Sequence, residues 1–148
     1  MPWEALRAYL EAPASSVRTS SRPESEIEAI ERRYNVRLPL EYRDFLIHAA
    51  PVQDNDMDND LGSWWTPERV KSILDEGVHS NYPPDVAAEA ETALFFLDHL
   101  GWCWAWAICC GDGPNHGRVI LINSKDRFVA DSFGEFVNRY INDWASLN

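Results

Sequence analysis

The chain has no run of about 18 apolar residues, so no segment is long enough to cross a bilayer as a helix. Cysteine is scarce, with only Cys103, Cys109 and Cys110. An odd number, two of them adjacent, makes no disulfide framework, and neighbouring strand residues point apart, so Cys109 and Cys110 are not expected to share a metal. Basic residues are few: 13 Lys and Arg stand against 24 Asp and Glu, for a net charge of -11. That balance argues against nucleic acid or an anionic membrane as a direct partner, because both are gripped through clustered Lys and Arg. The first residues, Met1-Pro2-Trp3-Glu4, lack the basic and apolar regions of a secretory signal, and a cytoplasmic location is the expectation.

Signatures of catalysis are also missing. None of His48, His79, His99 and His116 has a carboxylate or second histidine at metalloprotease spacing, and no serine sits in a nucleophile elbow. Gly111, Gly113 and Gly117 lack phosphate-loop spacing and lead into a strand instead of a helix. The residues predict no enzyme, no cofactor and no metal.

What is present is enough for a folded domain: 148 residues, 45% hydrophobic and 12% aromatic. Trp3, Leu6 and Leu10 predict a short helix over 3–11. Residues 12–22, rich in Ser, Ala and Pro, read as a linker, dividing the chain into 1–22 (N-terminal helix and linker) and 23–148 (the main domain). Ser21 and Glu24 stand at capping-box spacing, Ile27, Ile30 and Tyr34 form one apolar stripe, and Asn35 suits the left-handed residue that ends a helix. Pro39 opens a second helix with Tyr42, Phe45, Leu46 and Ala49 inward. Thr66 and Pro67 predict the start of a third, with Val70, Ile73 and Leu74 inward.

Strands follow at 93–97, 102–110, 118–123 and 127–130. In the second, Trp102, Trp104, Trp106 and Ile108 fall on one face, while Cys103, Ala105, Ala107 and Cys109 fall on the other, where small side chains leave room for helices. Ser132 and Glu135 then cap a helix whose stripe is Phe133, Phe136, Val137, Tyr140, Ile141 and Trp144. The fold class is α+β: a single domain with an antiparallel meander sheet, N-terminal helices and a closing C-terminal helix.

Acid is unevenly placed, with eleven Asp and Glu against two basic residues in 51–100. Within it, Asp54, Asp56, Asp58 and Asp60 alternate. A calcium loop fails in register: counting from Asp54, Asn59 stands where the sharp-turn glycine belongs and Trp65 where the bidentate glutamate belongs. The alternative is a protein-binding element. A row of carboxylates would meet a basic protein surface, with Trp64 and Trp65 as flanking anchors, one of the two entering the core. On that reading, changing all four aspartates to Asn slows association and leaves thermal stability nearly unchanged.

Several stretches together resemble the SUKH superfamily, whose members include bacterial immunity proteins and relatives of a yeast cell-wall synthesis regulator. They are the acidic helix at 24–34, the junction Tyr34-Asn35-Val36-Arg37-Leu38-Pro39-Leu40-Glu41-Tyr42, Phe45-Leu46, and the closing Ala130-Asp131-Ser132-Phe133-Gly134-Glu135-Phe136. The resemblance covers about residues 23–145, and departs from the family at His48-Ala49-Ala50-Pro51, where an Asn-Gly-Gly turn is usual. It implies a mixed α+β fold. For bacterial members it implies an immunity protein that binds and neutralises a cognate toxin, often one acting on nucleic acid, with no chemistry of its own. The alternative it leaves open is a non-catalytic regulatory module with an endogenous protein partner. On the first reading the toxin would be a basic protein, and no toxin-contacting residue of this chain carries over by motif.

Overall fold

Trp64, Leu97, Trp106 and Leu121 stand in cross-strand register on four successive strands, and the helices gather over this row. A computed structural model describes residues 1–148. In chain order the elements are α1 (Pro2–Leu10), β1 (Thr19–Ser20), α2 (Glu24–Tyr34), α3 (Leu40–Ala49), β2 (Ala50–Pro51), β3 (Gly62–Trp64), α4 (Ile73–Glu76), α5 (Pro84–Ala87), β4 (Ala93–His99), β5 (Trp104–Cys109), β6 (Val119–Ile122), β7 (Arg127–Ala130) and α6 (Phe133–Asn142), then a 3-10 turn, Trp144–Leu147. The main sheet is antiparallel with strand order β3-β4-β5-β6-β7, a meander, as the alternation and turn signals predict.

Helices α3 and α6 lie on the large-residue face. Phe45 packs edge-on to Trp64 at 5.8 Å between centroids, Trp106 meets Phe136 at 5.6 Å, and Tyr42 meets Phe96 at 5.7 Å. Each such aromatic pair adds about 0.5–1.5 kcal/mol beyond simple burial. The face of Ala105 and Ala107 carries instead the long connection from β3 to β4, with its one-turn helices α4 and α5. That connection is bridged to β4 through Ser72 and Leu94, and reaches the β6–β7 turn where His79 Nε2 meets Asp126 Oδ2 at 2.8 Å.

Several local expectations are corrected. Thr66 closes only a single turn with Arg69 and Val70; α4 is capped by Ser72, whose hydroxyl accepts the Asp75 N–H at 3.1 Å, and Leu74 is 57% exposed. Ser21 caps nothing, because Pro23 is the N-cap of α2 and the Glu24 carboxylate pairs with Arg43 at 2.9 Å. Trp102 is outside β5, in a turn at φ 77, and packs on Phe95 and Trp65. At the C-terminus the helix breaks at Asp143, and Trp144 belongs to a separate turn held by Trp106 Nε1 donating to the Leu147 carbonyl at 3.0 Å. Asn35 ends α2 at φ 52, as predicted.

The residues read as a helix and linker are part of the core. Leu6 and Leu10 are fully buried, Val17 is 4% exposed, and β1 pairs antiparallel with β2. Helix α1 packs against α3 and α6.

The two most distinctive stretches of the sequence meet in space. Glu41, in the α2–α3 junction, accepts the Gly134 N–H at 3.1 Å and so supplies a carboxylate to the first turn of α6. A Cβ at position 134 would stand 2.7 Å from Glu41 Oε2, so any larger residue there would push the carboxylate from its place at the helix start. Ser132 completes the cap by accepting the Glu135 N–H at 3.0 Å. Glu41→Ala is expected to cost about 1–2 kcal/mol, and Glu41→Gln about half of that, because the amide keeps the hydrogen bond but loses the attraction to the helix dipole. Urea denaturation of the two variants checks the order.

Candidate protein-binding surface

Trp64 and Trp65 are neighbours in an extended segment, so their indoles go to opposite faces of the sheet. Both are 1% exposed. Each indole N–H therefore needs a buried acceptor, and each finds an aspartate: Trp64 Nε1 donates to Asp58 at 2.8 Å, and Trp65 Nε1 donates to Asp98 at 2.7 Å. Asp58 and Asp98 are 3% and 2% exposed.

These two carboxylates organise two adjacent loops in the same way. Asp58 accepts the N–H groups of Asp60 at 2.8 Å and Gly62 at 3.0 Å, and its second oxygen also takes the Tyr140 hydroxyl at 2.8 Å. Asp98 accepts the Trp102 N–H at 3.2 Å and lies 3.4 Å from the Arg69 guanidinium, which stacks 4.0 Å above the Trp65 ring. Burial pushes the Asp58 carboxyl above the ordinary aspartate range, against the pull of its hydrogen bonds. Burial also raises the Tyr140 hydroxyl, with Asp58 adding to it, and lowers His99.

Between the paired anchors each loop carries a leucine to its tip. Leu61 has φ 64 and Leu100 has φ 48, the left-handed region that a branched side chain avoids. Holding each there costs on the order of 1–3 kcal/mol. The two tips touch, with the Leu100 N–H donating to the Leu61 carbonyl at 3.0 Å. Their side chains are nevertheless 44% and 47% exposed. A strained, exposed apolar pair on a rigid base is the arrangement expected of a contact surface.

The sequence candidates fall as follows. Trp64, Trp65 and Asp58 are interior, so in this fold the tryptophans are not surface anchors and the four aspartates do not form one outward row. Asp54 holds the start of the next segment, accepting the Thr66 N–H at 3.2 Å and its hydroxyl at 3.3 Å. Asp60 accepts the Tyr9 hydroxyl, whose pKa is raised by burial and then by that bond. Asp56 alone of the four makes no side-chain hydrogen bond or ion pair, and it is half-buried beside exposed Asn55. The divergence of these side chains also removes the alternating oxygen set of a calcium loop, and no group of three or more His, Cys, Asp or Glu converges as a metal site. Sequence reasoning missed Leu61 and Leu100. The available signal was the repeated Leu-Gly pair, Leu61-Gly62 and Leu100-Gly101, each a few residues after an aspartate.

A five-stranded meander backed by α3 and α6, with Glu41 tying the junction to the closing helix, makes this an α+β domain. The family model described as SMI1 / KNR4 family (SUKH-1) matches residues 23–139, and the chain belongs to that family. A search of curated proteins finds no match.

Proposed function

We propose that this chain is a protein-binding module with no chemistry of its own, and that it serves as an immunity protein, neutralising a cognate nucleic-acid-targeting toxin by occupying it. Its place in the SMI1 / KNR4 family supports a binding role. The observation that carries the surface is the exposed Leu61–Leu100 pair, held in left-handed backbone by Asp58 and Asp98 and flanked by Asp56 and Asp60. The apolar pair would supply the desolvated centre of the contact, and the acidic flank would steer a basic partner onto it.

Co-expression with the toxin encoded beside the gene tests the reading. Growth rescue together with a purified complex supports it. A toxin that kills regardless and forms no complex overturns it, and an endogenous partner found instead would favour the regulatory alternative.

The structure also changes which variants are clean probes. Asp58→Asn and Asp54→Asn disturb the fold and cannot report on binding. Asp56→Asn, at the one aspartate of the four without a side-chain partner, is expected to slow association roughly threefold at low salt and to flatten its salt dependence, because steering acts on the rate of encounter. The melting temperature should stay close to that of the parent. Stopped-flow association at two ionic strengths is the measurement, and unchanged kinetics would remove this loop from the interface.

A further inference from the structure

The acid of the middle third has a second concentration, away from the 54–61 loop. Residues 71–91 carry Asp75, Glu76, Asp85, Glu89 and Glu91 against the single Lys71. Each of the five acidic residues stands within two residues in sequence of one that lines a groove of about 600 Å³ between α4 and α5, though none lines it itself; the groove is formed by Leu74, Gly77, His79, Tyr82, Ala87 and Ala90. Its walls are short because each helix is stopped after one turn. Gly77 ends α4 at φ 62, and Pro83 and Pro84 open α5. The Leu74 N–H donates to the Ala90 carbonyl at 2.9 Å, which pins one wall to the other. At one end, the His79 and Tyr82 rings lie 4.3 Å apart, with His79 held by Asp126. The groove is thus pre-formed, and Leu74, 57% exposed, stands at it without an apolar cover.

We infer that this groove docks a cationic segment of a protein partner, which inserts one large apolar side chain against Leu74 and Tyr82. The inference rests on the protein-binding reading above but needs neither the toxin nor the Leu61–Leu100 surface. Concavity with an apolar lining selects an inserted side chain, and its volume falls within the range of sites that enclose a ligand group. The charge of the segment that forms the groove selects the flanks: five Asp and Glu against one Lys leave residues 71–91 at -4, which draws in a cationic segment and repels an anionic one.

The test uses the full chain, labelled with nitrogen-15, and a nine-residue probe peptide of Lys, Arg and Ser with one central Phe. Two control peptides replace Phe by Ala, or Lys and Arg by Glu. The basic Phe peptide is expected to bind saturably and to shift the amides of Gly77, Ser80 and Ala87. The Ala peptide should bind at least fivefold more weakly, and the acidic peptide should not bind. Leu74→Glu is the decisive variant. It adds a negative charge, which by itself would strengthen attraction to a cation, yet it should weaken the Phe peptide at least tenfold by removing the apolar wall.

Circular dichroism confirms that the variant is folded, as its exposed position leads one to expect. Equal binding of the Phe and Ala peptides overturns the inference, since charge alone would then suffice. Absence of binding at millimolar peptide does the same. Shifts confined to residues 56–61 and 100 would overturn the groove while leaving the protein-binding reading intact. A peptide-free dimer that Leu74→Glu dissociates would assign the groove to a second copy and also overturn the inference.

Discussion

Asp58→Ala is expected to destabilise the protein by about 3–5 kcal/mol, most of the margin of a domain whose whole stability is typically about 5–15 kcal/mol. The carboxylate is 3% exposed and accepts from two backbone N–H groups, one indole and one phenol. Alanine leaves these donors facing a space where water has little access. Each unmet buried donor costs about 1–3 kcal/mol, and the four are coupled through one side chain, so their costs do not simply add. Asp58→Asn should cost less, about 2–3 kcal/mol, because one oxygen still serves the Asp60 and Gly62 amides while the new NH₂ is set against the Trp64 N–H.

The pH dependence of that loss has a definite sign. Asp58 is held above the ordinary value of 3.8 in the folded chain. A raised folded-state value means that protonation favours the fold. This contribution is full below the unfolded value and is lost as pH rises through the folded one. The gap between the parent and Asp58→Ala should therefore be wider at acid pH than at pH 7. Urea denaturation at both pH values measures it, with near-ultraviolet circular dichroism reporting on Trp64. A variant within about 1 kcal/mol of the parent at both pH values would show that the carboxylate does not carry the loop.

The same residue shows where sequence reasoning stopped. The meander, the α3 and α6 stripes, the left-handed Asn35 and the Ser132 cap were legible because each depends on neighbours within one or two turns, or on strict alternation. Whether Asp58 faces in or out depends on Tyr140, 82 residues away, and no local pattern records that bond. The tryptophan pair was ambiguous for a related reason. Adjacent large residues imply opposite faces, and only the β3–β4 pairing, with Trp64 opposite Leu97, shows that both faces are covered there. Strand β3 has three residues, too few for a periodicity to be recognised. Thr66 misled because Thr-Pro is a good helix start in isolation, whereas here Asp54 captures its amide and hydroxyl and the chain runs on to bridge β4. The proposed contact surface was least legible of all. Leucine at a left-handed position is locally unfavourable, and its placement follows from two buried carboxylates that the sequence presents as surface charge.

Removing residues 1–20 is expected to lower the melting temperature by more than about 10 °C, although the family match begins only at residue 23. The truncated chain keeps every residue of the matched region and the entire main sheet. It loses Leu6 and Leu10, both fully buried, and with them the cover that α1 gives to α3 and α6. It also loses Trp3 stacked on His48 at 4.5 Å, Tyr9 packed edge-on to Tyr140 at 5.8 Å, and the Tyr9 bond to Asp60 at the base of the proposed contact loop. Ordering twenty residues opposes these gains, so the sum of burial terms overstates the loss. Point variants avoid that offset: Leu6→Ala and Leu10→Ala should each cost about 2–4 kcal/mol, as cavities in a packed interior do. Thermal melts of the truncated and full-length chains, read beside urea curves for the two alanine variants, separate the possibilities. Matching melts would make α1 an appendage. A large loss in all three variants would make α1 a wall of the core that the matched region needs.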